Sequence, residues 1–202
     1  MADEKDHNKV NKDKRRFLVA ATGTCGGLAC AGAAVPFVSS MLPSARAKAA
    51  GAPVEVDIGK LEPGQYLRTA WRGQPVIVLK RTKEMLATLP KMDPRVSDPK
   101  SEKSEQPSYC KNEHRSIKPE IFVWVDICTH LGCSPEVKQD KGSDQGMPAD
   151  WPGGLLCPCH GSHYDLAARV WKDQPAPLNM AIPPYRFVSD TVLRVGEDPK
   201  KA

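Results

Sequence analysis

CTHLGC at residues 128–133 and CPCHGSHYD at 157–165 are the stretches on which the reading of this chain turns. Each offers one histidine and two cysteines: Cys128, His130 and Cys133 in the first, Cys157, Cys159 and His160 in the second. Each also holds a glycine, Gly132 or Gly161, as a tight loop favours. Six ligand-type side chains are too many for one tetrahedral metal. The single residue between Cys128 and His130 is also shorter than the usual spacing of paired zinc ligands.

The surroundings favour a loop-rich or all-β domain. Nineteen prolines and fifteen glycines in 202 residues imply many turns and short elements. The net charge is +5, with basic residues scattered along the chain. No basic stripe with interleaved aromatics is present, which argues against a nucleic-acid partner. Seven cysteines cannot all be paired within the chain.

The N-terminus indicates the compartment. Residues 17–45 contain no charged side chain, and about twenty apolar residues span a bilayer. KRRFLV precedes them, with Arg15 and Arg16 adjacent, a pattern similar to a twin-arginine (Tat) export signal. Ala45-Arg46-Ala47 offers a small-x-small cleavage site, and a retained anchor is the favoured alternative. In either case the body is exported. Asp3, Glu4, Asp6 and Asp13 make the leader too acidic for a mitochondrial presequence. Gly23 and Gly27 form a weak GxxxG pattern, and Cys25 and Cys30 read as small apolar residues in lipid.

The expected order is therefore a cytoplasmic N-terminus (1–16), a transmembrane helix (17–42), a flexible neck (43–53) and a periplasmic head (54–202). Within the head, VEVDI (54–58), QYLRTAWRG (65–73), PVIVLKRT (75–82) and IFVWVDI (121–127) read as strands. KEMLATL (83–89) reads as a short helix, and YRFVSD with TVLRVG as a closing hairpin. Residues 90–118 and 134–154 are polar and turn-rich, and 90–118 reads as a long surface excursion.

A two-iron cluster with mixed ligands resolves the count of six. In such a centre two cysteines hold one iron and two histidines the other. Cys128, His130, Cys157 and His160 supply that set symmetrically. Cys133 and Cys159 are then left, one per loop, and an oxidising compartment would join them as a disulfide.

The two boxes resemble the cluster-binding loops of the Rieske iron–sulfur subunit of the cytochrome bc1 complex. WRGQPVIVLKRT, NEHRSIKPEIFVWV, QPAPLN and IPPYRFVSD are similar to that family as well, so the likeness runs from about residue 15 to the C-terminus. The resemblance implies a mostly β fold: an antiparallel head with a small cluster-binding subdomain, about 126–182, behind one membrane helix. It implies one [2Fe–2S] cluster, with Ser162 and Tyr164 hydroxyls donating to its sulfurs and so raising its potential. It implies that His160 accepts a hydrogen bond and then a proton from ubiquinol, that Leu131 contacts cytochrome b, and that cytochrome c1 receives the electron. It further implies a dimeric, membrane-embedded complex in the cell inner membrane. Pro175-Ala176-Pro177 corresponds to a loop that shields the cluster. Two positions depart from the family's usual glycine, Gln174 and Ala168, and a side chain at a left-handed position costs about 1 kcal/mol.

The alternatives are a Rieske subunit of another exported oxidoreductase, such as an arsenite oxidase small subunit, and a structural zinc module. The box GSHYD and the Pro-Ala-Pro loop argue against the first. Cys110 reads as an unpaired thiol, and His163 as a surface neighbour of the cluster.

Overall fold

The computed structural model describes residues 11–140, 142 and 147–199. Residues 1–10, and with them most of the expected cytoplasmic N-terminus, lie outside the described residues, as do 141, 143–146 and 200–202. The chain forms two compact units, Met1–Lys48 and Ala49–Ala202.

In the first unit, helix α1 runs from Lys12 to Ser40, over 29 residues. It begins five residues before the expected start, because Asn11 caps it: its side chain accepts from Asp13 N and Lys14 N, both at 3.1 Å. Every α1 residue is exposed. At about 1.5 Å per residue the helix exceeds the roughly 30 Å hydrocarbon core of a bilayer. Pro36 lies inside it and removes one backbone donor. The neck segment is not wholly irregular, since Ala45–Ala50 forms a short helix, α2. Its first turn is capped by Ser44, whose Oγ accepts from Ala47 N at 3.1 Å.

Among the described residues, the second unit contains three antiparallel sheets of three strands each. Strand β1 (Val54–Asp57) pairs with β9 (Val192–Val195), which pairs with β8 (Tyr185–Phe187). Strands β2 (Tyr66–Trp71), β3 (Gln74–Lys80) and β4 (Ile121–Val125) form the second sheet. The β2–β3 turn places Arg72 and Gly73 at φ 52° and 73°, the left-handed pair that a two-residue hairpin needs. All five β4 residues are buried, as a continuous apolar run predicts. Strand β4 delivers the chain into the first Cys/His box. The third sheet, β5 (Glu136–Lys138), β6 (Gly154–Leu156) and β7 (His163–Tyr164), carries the second box between β6 and β7. Strands β5 and β7 are too short to show an alternating pattern and escape a sequence reading.

Helix α3 spans Lys83–Met92, longer than the expected 83–89. Thr82 caps it, accepting from Met85 N at 3.2 Å.

The segment 90–118 is not the surface excursion that its polarity suggests. Met92, Val96, Ser101, Cys110, Arg115 and Ser116 are buried within it. Arg115 is fully buried and donates to Ala167 O (2.9 Å), Ala168 O (3.2 Å), Met180 O (2.7 Å) and Gln106 Oε1 (2.9 Å). Arg169 binds Asp165, Asp93 and the carbonyls of Leu89 and Pro99. Arg81 reaches Pro119, Leu166 and His114 carbonyls and the Ser116 hydroxyl. These guanidiniums satisfy carbonyls of irregular segments that no sheet ladder would reach. Burial lowers Arg81 and Arg115 to about 10, so both stay charged at neutral pH.

Candidate metal centre

The two boxes fold into loops with the same backbone frame. In the first, Cys128 N donates to Cys133 O (2.7 Å) and Gly132 N returns to Cys128 O (3.0 Å). In the second, Cys157 N donates to Ser162 O (2.8 Å) and Gly161 N returns to Cys157 O (2.9 Å). Both glycines are left-handed, at φ 86° and 75°. A side chain there would meet nothing within 4 Å, so glycine is needed for conformation and not for space.

Cys128 and Cys157 are buried free thiols. Burial pushes the Cys157 thiol above its ordinary value, so a thiolate there needs a cation beside it. The rings of His130 and His160 stand 4.7 Å apart, edge to face. Nδ1 of His130 is buried with no hydrogen-bond partner among the described residues, which leaves its lone pair available to a metal. His160 is exposed.

Cys133 and Cys159 form a disulfide across the two loops, 26 residues apart in sequence. The sulfurs of Cys133, Cys157 and Cys159 lie within 4.8 Å of one another, but two of them belong to this bond, so the trio is not a ligand set. Leu131 is 71% exposed at the tip of the first loop.

Two buried hydroxyls lie at or beside the second loop, those of Ser162 and Tyr164. Tyr164 OH lies 3.2 Å from Cys128 Sγ, accepts from Thr129 N at 3.3 Å and lies 3.4 Å from Thr129 Oγ1, so the sulfur and that hydroxyl are the acceptors within reach of its proton. Burial raises the phenol well above its ordinary value and keeps it a donor. Ser162 is buried, and its Oγ accepts from Ala176 N at 3.1 Å, so its proton too is free to be donated.

Several supporting contacts are not legible in the sequence. Asp126 is buried just before the first loop, with Ser134 Oγ donating at 2.5 Å and Trp124 Nε1 at 3.2 Å. An acidic residue ending an apolar strand was the available signal for it. Thr129 Oγ1 donates to Leu178 O at 2.7 Å and so ties the first loop to the proline loop. His163 is a packed residue and not a surface neighbour: its ring lies 5.5 Å from that of Trp151 and 5.4 Å from that of Trp171. Ala168 is indeed left-handed, at φ 53°. Gln174 is not, because Asp173 takes that conformation one residue earlier, at φ 58°. Cys110 is a free thiol, but it is buried rather than on a surface excursion, 3.9 Å from Tyr185 OH.

Two buried thiols, two adjacent imidazoles and an orphaned ring nitrogen fit an iron–sulfur cluster with mixed ligands. Comparison with known proteins agrees. Residues 102–185 match the family model for the Rieske [2Fe-2S] domain, and residues 4–44 match that for the ubiquinol-cytochrome c reductase Fe-S subunit TAT signal. The ubiquinol-cytochrome c reductase iron-sulfur subunit of Allochromatium vinosum is 58% identical over 189 residues, covering 94% of this chain and 91% of that protein. The subunit of the same name from Bradyrhizobium diazoefficiens is 38% identical, over 91% of this chain and 94% of its own length. The mitochondrial cytochrome b-c1 complex subunit Rieske of Candida albicans is 37% identical, over 94% and 81%. A solved chain of a hyperthermophilic respiratory Complex III is 26% identical, with 88% of this chain and 98% of that chain covered and a TM-score of 0.46. The Tat match and the long apolar helix α1 fit a head that is translocated and membrane-anchored. With paired Cys/His loops on an antiparallel β scaffold and this likeness over nearly its whole length, the chain belongs to the family of Rieske [2Fe–2S] iron–sulfur subunits of ubiquinol–cytochrome c reductase.

Proposed function

We propose that Cys128 and Cys157 hold one iron of the [2Fe–2S] cluster and His130 and His160 the other. The observation that carries this is the pairing of two buried free thiols with two adjacent imidazoles on matched loops. When bound, the cluster supplies a one-electron acceptor whose histidine ligation places it at the high-potential end of iron–sulfur chemistry. The chain's own side chains do the rest. His160, exposed at the tip, presents its outer ring nitrogen to the quinol hydroxyl, first as hydrogen-bond acceptor and then as proton acceptor. Tyr164 and Ser162 point hydroxyl protons at the sulfur side and stabilise the added negative charge. Leu131 gives the tip an apolar contact for cytochrome b. The Cys133–Cys159 bond keeps the loops together during these encounters.

In the full reading, residues 1–16 are cytoplasmic, 17–42 cross the cell inner membrane, 43–53 form a neck and 54–202 a periplasmic head, with 126–182 as its cluster-binding part. The head receives an electron from ubiquinol beside cytochrome b, moves on its neck and delivers the electron to cytochrome c1, within a dimeric complex. The second electron of the quinol leaves through cytochrome b. The test is an electron paramagnetic resonance spectrum of membranes reduced first with ascorbate and then with dithionite. A Rieske signal after ascorbate alone is expected. A signal only after dithionite would sink the quinol role, and zinc equimolar with protein in place of iron would sink the cluster assignment.

A further inference from the structure

Gln174 stands immediately before Pro175-Ala176-Pro177, and its side chain turns back onto β7. Its Oε1 accepts from His163 N at 3.0 Å and lies 3.1 Å from His163 Nδ1, which carries the proton in this pair. One residue before the strand and two further along the loop, Ala176 N donates to Ser162 Oγ at 3.1 Å. The carbonyl of His163 is taken by Trp171 N, at 3.0 Å. Both backbone polar groups of His163 are therefore held by the segment 171–174, and its ring packs in a three-ring cluster with Trp151 and Trp171.

The location of this clasp gives it consequence. Strand β7 is only His163–Tyr164, and its pairing with β6 covers two residues. So short a ladder leaves the rotation of the strand to its other contacts, the bridge of Tyr164 to Val170 and the bonds of His163 to 171–174. The residues flanking His163 are Ser162, whose Oγ accepts from Ala176 N, and Tyr164, whose OH lies 3.2 Å from Cys128 Sγ. A rotation of His163 about the strand axis would swing both hydroxyls together. The left-handed turn at Asp173 is what brings the Gln174 side chain over the strand, and a glycine at 174 would offer no acceptor to close the clasp.

We infer that Gln174 is a positioning residue for the redox reaction: through His163 it sets the placement of the Ser162 and Tyr164 hydroxyls against the cluster sulfurs. This rests on the ligand and hydroxyl roles proposed above. Hydrogen bonds from outer-shell residues tune a metal site only while their geometry is held, so a partner of the donors' own strand acts on the potential without touching the cluster.

The experiment is a redox titration, followed by paramagnetic resonance in the intact membrane complex, of a double-mutant cycle. Gln174→Met keeps the length of the side chain and removes the acceptor. The expected result is a downward shift of the midpoint, up to about 59 mV, the one-electron equivalent of a tenfold change in equilibrium. In a Ser162→Ala/Tyr164→Phe background the same substitution is expected to shift nothing further. Gln174→Gly, which removes the side chain outright, is expected to repeat the shift if the methionine variant assembles poorly. An unchanged midpoint in both single variants overturns the inference, and so does an equal shift in both backgrounds. If the Ser162→Ala/Tyr164→Phe pair itself keeps the parent midpoint, the hydroxyl roles fail and the inference falls with them. A lowered midpoint in that pair with a silent Gln174→Met removes the inference alone.

Discussion

In the loop at 128–133 and in the loop at 157–162, a cysteine amide bonds the carbonyl five residues on, and a left-handed glycine closes the turn onto the cysteine carbonyl. The side chains laid on this shared frame are not the same. The first loop places its histidine two residues after the cysteine and half-buries it, with Nδ1 sealed from solvent. The second places its histidine three residues after the cysteine and exposes it, and continues directly into Ser162 and Tyr164. On the proposed ligand set the frame delivers ligands equally, while the exposed imidazole and both hydroxyls belong to the second loop and the strand that follows it. Identical backbone need not mean identical duty, because one residue of offset decides whether an imidazole meets protein or solvent.

The largest effect treats the loops alike. Cys128→Ser and Cys157→Ser are each expected to abolish the Rieske signal and quinol oxidation completely. Iron and acid-labile sulfide in the purified complex are the measurement, and a variant that retained two irons per chain would remove that cysteine from the ligand set.

Next comes the bond that joins the loops. A Cys133→Ser/Cys159→Ser double variant should lose about 3–4 kcal/mol, the loop-closure value for a 26-residue separation. Thermal loss of the cluster's visible circular dichroism reads this out. An unchanged midpoint temperature would mean that Thr129, tied to Leu178, and the sheet β5–β6–β7 already hold the loops.

The hydroxyls separate the loops most sharply. On the proposed roles, Tyr164→Phe removes the donor beside Cys128 Sγ, and Ser162→Ala removes the one whose oxygen accepts from Ala176 N. Each lost charge-assisted hydrogen bond should cost about 1.5 kcal/mol in the reduced state, or about 60 mV in the midpoint. Both substitutions lie in or just after the second loop, yet the tyrosine serves the first loop's cysteine. Thr129→Val, on the first loop, is expected to move the midpoint less, because its hydroxyl is committed to Leu178 O.

How much of this was written in the sequence depends on the kind of signal. Ligand chemistry is local: Cys-x-His and Cys-x-x-His within a few residues announce the site, and Cys133 with Cys159 follows once the ligands are counted. The strand Ile121–Val125 is equally plain, because a run of bulky apolar residues has few other uses. Arg115 misleads for the opposite reason. A charged residue in a polar stretch reads as surface, and only the tertiary structure shows carbonyls of residues 52 to 65 positions away filling the guanidinium's donors. Gln174 is illegible in the same way. Its departure from the family's glycine is visible, whereas its partner lies 11 residues back on a two-residue strand.

The smallest effects test the frame itself. Gly132→Ala and Gly161→Ala each place a side chain in a left-handed turn with open space around it, so each should cost about 1 kcal/mol, from backbone conformation alone. Equal losses in thermal unfolding would establish that the two frames are energetically the same. A markedly larger loss at Gly161 would mean that the exposed loop depends on its exact backbone path to aim His160. Ala168 provides the control, being a left-handed residue that nature has left with a side chain. Ala168→Gly relieves about 1 kcal/mol of backbone strain but gives up a fully buried methyl worth about 0.8 kcal/mol. The two nearly cancel, so the variant should melt within about 0.5 kcal/mol of the parent. A clear stabilisation would show that the Arg115 bonds to the Ala167 and Ala168 carbonyls hold the alanine in its strained turn at a real energetic cost.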